Sequence, residues 1–421
     1  MTSDLFAKTL LFLNQFLYLY PVCMSLVWIV GGVIFYFRRE RTPIMDIDEY
    51  PFFSILIPCH NEANHLKTTA NYLLALDYPF YEIIFVDDGS TDNTKAVIKE
   101  LCQNHDQIRG VYMMENQGKA NALNAAALVS KGEFLMTIDA DAILEPQALK
   151  AVAWHFIKYP RVGAVTGNPR VLNRTSLLAK IQVGEFATII GLIKRTQRIL
   201  GKLFTVSGVV AAFRKTALYS VGFWDADMLT EDIDITWQLE KRFWDVRYEP
   251  NCVCWILVPE TIRGLWRQRL RWAMGGIEVI LKHIDVWKDW RQRRLYPLYL
   301  EFILSVFWVY TFWFIMFLWG MQEAFGWVLP MKLLPFFPPR WAGLLLACLC
   351  LMQFAVSLLI EHRYEKMMIR YLFWVIWYPF AYWLLNALTQ LVGLPLVLLR
   401  LKKSDRLATW KSPDRGLIGG R

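Results

Sequence analysis

Phe134-Leu135-Met136-Thr137-Ile138-Asp139-Ala140-Asp141 is the stretch that decides the fold. A short apolar run of this kind reads as a buried strand, and the two carboxylates that follow stop it. Working outward, the same unit recurs. Residues 53–57 form a strand ending at Pro58, and 61–76 form a helix. A second strand at 82–86 is closed by Asp87-Asp88-Gly89-Ser90-Thr91-Asp92, where Ser90 or Thr91 can cap a helix running to 102. A third strand at 110–114 precedes an Ala-rich helix at 119–130. Strands alternating with helices predict an α/β domain over 50–260, built on a parallel sheet covered by helices. Ligands bind such sheets at the carboxyl ends of strands, where both acidic clusters fall.

Past 150 the pattern is less regular. Residues 181–200 read as an amphipathic helix with Lys194, Arg195 and Arg198 near its end, suited to lying on a membrane. The run at 203–213 is strand-like but broken at Ser207-Gly208, and Thr230-Glu231-Asp232 opens a helix whose dipole favours acids in its first turn. The basic segment 261–296 is an amphipathic interfacial helix carrying Gln268-Arg269-Leu270-Arg271-Trp272.

The flanks are apolar. With 55% hydrophobic and 15% aromatic residues and a mean hydropathy of +0.28, the 421-residue chain is an integral membrane protein with one large soluble domain. Region 1–41 holds a span at 22–37, preceded by an apolar arm, either a plain extension or a second short span, that lacks the basic start and cleavage site of a signal peptide. Arg38-Arg39-Glu40-Arg41 then places the domain in the cytoplasm. In the membrane region 297–400, spans at 298–320 and 341–360 are followed by 371–399, either an interfacial helix plus one span or a tight pair. Residues 401–421 form a cytoplasmic tail. The net charge is +9, yet no nucleic-acid motif is present and the cations gather beside the apolar spans, so they orient a membrane protein. Seven cysteines lack zinc spacing and read as reduced thiols.

Asp139 and Asp141 offer hard oxygen ligands suited to Mg²⁺ or Mn²⁺ shared with a substrate diphosphate; alone, the pair is also an acidic turn. Asp88 can accept from a base or ribose, or make an Asx turn. Lys119, opening a helix after Gly118, can receive an anion. Asp232 suits proton transfer, or simply complements its helix. Read by itself, the Gln268–Trp272 run meets lipid phosphates and the interfacial belt. Beside a departing diphosphate, its guanidiniums stabilise charge and its indole stacks on a sugar. Arg269 and Arg271 lie on different sides of a helix, so only part of the run can point inward.

Asp88-Gly89-Ser90, Gly118-Lys119-Ala120 with Ala122-Leu123-Asn124, Asp139-Ala140-Asp141, Thr230-Glu231-Asp232 and Gln268–Trp272, in this order and followed by spans, resemble the processive family 2 glycosyltransferases: cellulose, chitin and hyaluronan synthases. The chain is more closely similar to the bacterial poly-β-1,6-N-acetylglucosamine synthases of biofilm polysaccharides, through Arg161 to Arg170, Ile181-Gln182-Val183-Gly184-Glu185, Phe204 to Val209, Thr230 to Ile235 and Trp410 to Gly416. That resemblance implies a GT-A (Rossmann-like) domain with a helical transmembrane domain, UDP-N-acetylglucosamine (UDP-GlcNAc) as donor, and an inverting single displacement onto a growing poly-GlcNAc chain. It also implies export across a bacterial inner membrane.

Carried over by position, Asp88 contacts the uridine, Lys119 helps hold the nucleotide, Asp139 supports the diphosphate and Asp141 binds the metal. Asp232 is the general base. Gln268, Arg269 and Arg271 hold the diphosphate, Trp272 stacks near the acceptor sugar, and Ser207-Gly208 form the acceptor-side strand. Trp410, Ser412 and Arg415 form a gate over the donor, or a plain basic tail; the gate requires an even number of crossings after the domain. Cyclic di-GMP control would act through a small membrane partner, since no cyclic-dinucleotide domain follows the last span. A chitin-like or hyaluronan-like synthase, or a non-processive transferase acting on a lipid carrier, shares the same motifs.

Overall fold

A computed structural model describes residues 2–40, 47–329 and 341–401. Its sheet has eight strands: β1 (Phe53–Cys59), β2 (Tyr81–Asp88), β3 (Ile108–Met113), β4 (Phe134–Ile138), β5 (Ile143–Leu144), β6 (Val162–Val171), β7 (Val210–Arg214) and β8 (Asp245–Ile256). The order is β3-β2-β1-β4-β7-β6-β8-β5. The four strands legible in the sequence pair in parallel, as their alternation with helices predicts. The other half departs from the expected parallel sheet: β7 runs antiparallel between β4 and β6, and β6 pairs in parallel with β8. After β6 the chain leaves the sheet along the membrane helices and returns from the opposite end. β6 and β8 escape a pattern reading because Gly163, Gly167, Pro169 and Pro250 interrupt them.

The helices are α1 (Thr2–Phe35), α2 (Ala63–Leu74), α3 (Thr94–Asn104), α4 (Lys119–Val129), α5 (Ala148–Lys158), α6 (Leu177–Phe186), α7 (Ile193–Leu200), α8 (Lys215–Val221), α9 (Glu231–Lys241), α10 (Ile262–Lys282), α11 (Tyr296–Phe325), α12 (Trp341–Glu361), α13 (Leu372–Val375) and α14 (Trp383–Arg400). Both sheet faces are covered, so β1 is buried along its whole length. Ile55 and Ile57 pack on one side with Leu66 of α2, and Leu56 on the other with Leu123 of α4.

Four of the described helices are long and apolar enough to cross a membrane: α1, α11, α12 and α14. The N-terminal arm is not a separate element, because α1 runs unbroken through Pro21 for roughly 50 Å. α11 packs antiparallel on α1, its Trp308 indole donating to the Leu17 carbonyl at 3.0 Å. α12 returns to the soluble domain and ends at Glu361.

The 181–200 segment differs from expectation in a way that matters. α6 and α7 are joined by wider turns at Ala187–Leu192, and the cations turn inward rather than to lipid. Arg195, 1% exposed, donates to Glu40 at the end of α1 (2.5 Å) and to Glu361 at the end of α12. Glu361 also accepts from Arg170 of β6 and from Asn168 (3.2 Å), and Tyr364 donates to Glu40 (2.6 Å). Bare cations in lipid would be costly, and paired acids at the helix ends remove that cost.

The last segment resolves into α13, a wide turn at Tyr378–Tyr382, and α14. It starts on the soluble domain, where Glu365 accepts from Arg174 (2.9 Å), and rises to place Trp383 against Phe312. α14 then descends beside α10 in the same direction: Leu385 clusters with Leu265, Gly393 lies against Ala273, and Arg400 donates to Glu278 and to the Asp227 carbonyl (2.9 Å). The chain after α12 therefore begins and ends on the domain's side. Trp410, Ser412 and Arg415 themselves lie outside the described residues.

Candidate active site

At the end of β2, Gly89 adopts φ +61°, and a Cβ there would sit 2.4 Å from the Glu115 carbonyl carbon. The loop after β3 can thus lie directly on the turn. Asp88 latches that loop: its carboxylate accepts from the backbone N–H of Gln117 (2.8 Å) and of Gly118 (2.9 Å). Burial raises its pKa, and these two bonds oppose the rise. Asp88, expected to contact the uridine, is thereby also the residue that sets the start of α4.

α4 opens with Lys119, whose ammonium donates to Asp139 (2.6 Å) and the Gly208 carbonyl (2.9 Å) and lies 3.5 Å from Glu231. Burial works against its charge, but Asp139 and Glu231 outweigh it and raise the pKa, so it is a fixed cation. One side chain joins three motifs far apart in sequence. Asp139 and Asp141 are both buried at the end of β4.

On the acceptor side, Asp232 at the start of α9 accepts from the Gly208 N–H (3.0 Å) and the Ile233 N–H (3.0 Å). Burial, then Glu231, push its pKa up to about 6 against the pull of Lys119 and Arg271. The Ser207 N–H donates to Thr166 Oγ1 (2.7 Å). A Cβ on Gly208 would stand 2.9 Å from Asp232 Oδ2. Gly208→Ala should therefore displace that carboxylate and cut turnover by about a hundredfold, as expected for misplacing a reacting group by roughly 1 Å, with little change in thermal stability. Steady-state kinetics beside a melting curve checks both halves.

α10 reaches the site because Gly275 lacks a side chain: a Cβ would lie 2.2 Å from Thr230 Oγ1. Arg271 donates to the Leu229 carbonyl (3.2 Å) and acts on Asp232 electrostatically. Arg269 does not join it. Expected to hold the diphosphate, it pairs instead with buried Glu185 of α6 (2.5 Å), which also accepts from Tyr382 (2.8 Å) and Asn386 (3.2 Å). The helical repeat puts residues two apart roughly 200° around the axis, so only one of the two guanidiniums faces Asp232. The Arg269 guanidinium stacks 4.1 Å from the Trp272 ring, which packs on Phe186. Gln268 is half-buried, and its Oε1 has no partner among the described residues.

Lys194 is a site residue that the sequence does not reveal. Its ammonium is buried, donates to Thr166 Oγ1 (3.2 Å), and is lowered to about 7 by burial, which Asp232 opposes. In an amphipathic helix nothing distinguishes such a lysine from a lipid-facing one. Lys194→Met should slow turnover about tenfold. Losing a cation raises a carboxylate's pKa, so the acid limb of the pH–rate profile should also move to higher pH.

Residues 54–222 match the glycosyl transferase family 2 model. A poly-β-1,6-N-acetyl-D-glucosamine synthase of Staphylococcus aureus (strain MSSA476) is 42% identical over 411 residues, covering 96% of this chain and 98% of the relative. One from Staphylococcus epidermidis is 41% identical over 415 residues, with the same shares. Among solved structures, a mannosyltransferase from Pyrobaculum calidifontis in complex with GDP-Man and Mn²⁺ superposes with a TM-score of 0.57 at 22% identity, covering 89% of this chain and 99% of that one. The chain belongs to glycosyltransferase family 2, among the poly-β-1,6-N-acetyl-D-glucosamine synthases.

Proposed function

We propose that the protein polymerises N-acetylglucosamine from UDP-GlcNAc into a β-1,6-linked chain on the cytoplasmic face of a bacterial inner membrane and passes it outward between its apolar helices. The observation that carries this reading is the convergence of Lys119, Asp139, Gly208 and Asp232 through direct bonds at one sheet edge, capped by Arg271 from the membrane-edge helix.

The C6 hydroxyl of the growing chain attacks C1 of the donor sugar from the face opposite UDP. The C6–O–C1 bond forms as the bond from C1 to the phosphate oxygen breaks, inverting the anomeric centre, and the hydroxyl proton passes to Asp232. Asp88 and its loop bound the nucleotide side, and Lys119 fixes Asp139 against the diphosphate. Arg271 and Gln268 meet the developing charge on the departing UDP, and Trp272 offers a face to the acceptor sugar. The donor set suits Mg²⁺ or Mn²⁺: no group of three His, Cys, Asp or Glu ligands occurs among the described residues, so Asp141, with Asp139 beside it, would leave most positions to phosphate oxygens and water. Such an ion supplies Lewis-acid neutralisation of the diphosphate.

The test is to incubate membranes with UDP-GlcNAc and Mg²⁺, with and without a co-expressed small membrane partner and cyclic di-GMP. The product is then digested with a β-1,6-specific hydrolase. Complete digestion of a polymer supports the assignment. A β-1,4 product, a second donor sugar or a single added residue overturns it in favour of a chitin-like, hyaluronan-like or lipid-carrier enzyme.

A further inference from the structure

A cavity of about 230 Å³ lies where α1 meets the soluble domain, walled by the end of that helix, α5, α7 and β8. None of its lining residues belongs to the active site described above. Five cations face it, Arg38, Arg39, Lys158, Arg198 and Arg247, together with His155. Its two carboxylates are already engaged: Glu40 holds Arg195 and Tyr364, and Glu249 holds His155 (2.7 Å) and Asn251 (2.7 Å). Asp245, behind the wall, is divided between Arg198 (2.9 Å) and Arg247 (2.7 Å). Among the described lining residues cations therefore outnumber carboxylates. Burial lowers the pKa of Arg198, Asp245 opposes that fall and Arg247 adds to it. His155 is more than nine-tenths buried, and its Nδ1 has no partner among the described residues.

The walls also carry aromatic rings of the membrane-boundary type. The Arg247 guanidinium lies 3.6 Å from the Tyr159 ring centre and the Lys158 ammonium 4.8 Å from that of Trp154. Next to Arg38, Phe37 is 57% exposed, and Val30 on α1 is 55% exposed. A free phosphate would use only the cations. A phospholipid would use the cations for its phosphate and this apolar ridge for its chains.

We propose that the cavity binds the phosphate headgroup of an anionic phospholipid from the leaflet facing the soluble domain, joining α1 to α5 and β8. Full-length protein in detergent is titrated separately with phosphatidylglycerol and phosphatidylcholine, and bound lipid is counted by native mass spectrometry. Phosphatidylglycerol should bind the wild type in preference. The Lys158→Gln/Arg247→Gln double variant should bind it roughly thirtyfold more weakly, the loss expected for two membrane-surface cations. Lys158→Arg/Arg247→Lys should keep most of the binding. Lys95→Gln/Lys99→Gln on α3, at the opposite edge of the sheet, should leave it unchanged. Equal affinity of the wild type for the two lipids overturns the proposal whether or not the double variant folds, and so does an equal loss in the α3 control. Inorganic phosphate that displaces phosphatidylglycerol and binds the wild type as tightly assigns the cavity to a soluble ligand, which also overturns it.

Discussion

Asp232→Asn should lower polymer formation by about a thousandfold or more while leaving the affinity for UDP-GlcNAc within about threefold. The amide is nearly isosteric, and its single oxygen can still accept from the Gly208 N–H while giving up the bond from the adjacent Ile233 N–H, so the contact that ties the acceptor strand to α9 is kept. What disappears is the function proposed for the carboxylate, taking a proton from the attacking hydroxyl. A binding isotherm beside a radiolabelled polymer assay separates the two effects, and a variant that polymerises at a tenth of the wild-type rate would remove Asp232 from the role of base. The same side chain sets a pH limit. Its pKa stands at about 6 and the ionised form does the work, so the wild-type rate should fall as pH drops through 6 and level off above it. Burial is the main reason the limit lies there rather than near the usual carboxylate value.

Glu361→Ala should destabilise the whole protein by about 3–5 kcal/mol, enough to abolish its accumulation as a folded species. Removing this carboxylate leaves Arg195 and Arg170, 1% and 4% exposed, facing each other without their shared acid. Arg195 keeps Glu40 and Arg170 keeps Glu365, but the buried cluster is left with one positive charge in excess, a loss far above what a surface pair is worth. Glu361→Gln should be milder, since it keeps acceptor and shape. Thermal unfolding in detergent, monitored by tryptophan fluorescence, ranks the two against the parent. Equal melting temperatures for all three would mean that the network contributes nothing.

Half of the sheet, and the acids and lysine that the structure brings together at one sheet edge, could be read before any fold was known, and the reason is chemical. β1, β2 and β4 are buried on both faces and stop at acids or turns, so local pattern and tertiary role coincide. The acids and Lys119 are recognisable because few other side chains suit a diphosphate and a proton. What stayed hidden was the partner of each cation. Lys194, Arg195 and Arg269 all present the periodicity of residues that face lipid phosphates. The acids that meet Arg195 approach from 155 and 166 residues away, and no local signal announces them. The antiparallel return of β7 was hidden for a related reason, since register there is set by where α6 and α7 deliver the chain.

α10 is held on both sides. Gly275 seats it on Thr230, and Gly393 and Arg400 of the descending α14 press it from the membrane side. Arg195 rivets the ends of α1 and α12 to the same body. α10, which carries Arg271, is thereby tied to Thr230 on one side and through Glu278 to α14 on the other. If Asp232 and Arg271 hold one spacing through successive cycles, each new sugar would leave the proposed acceptor position by sliding past them. On the function proposed above, the stroke would then belong to the polysaccharide rather than to the protein.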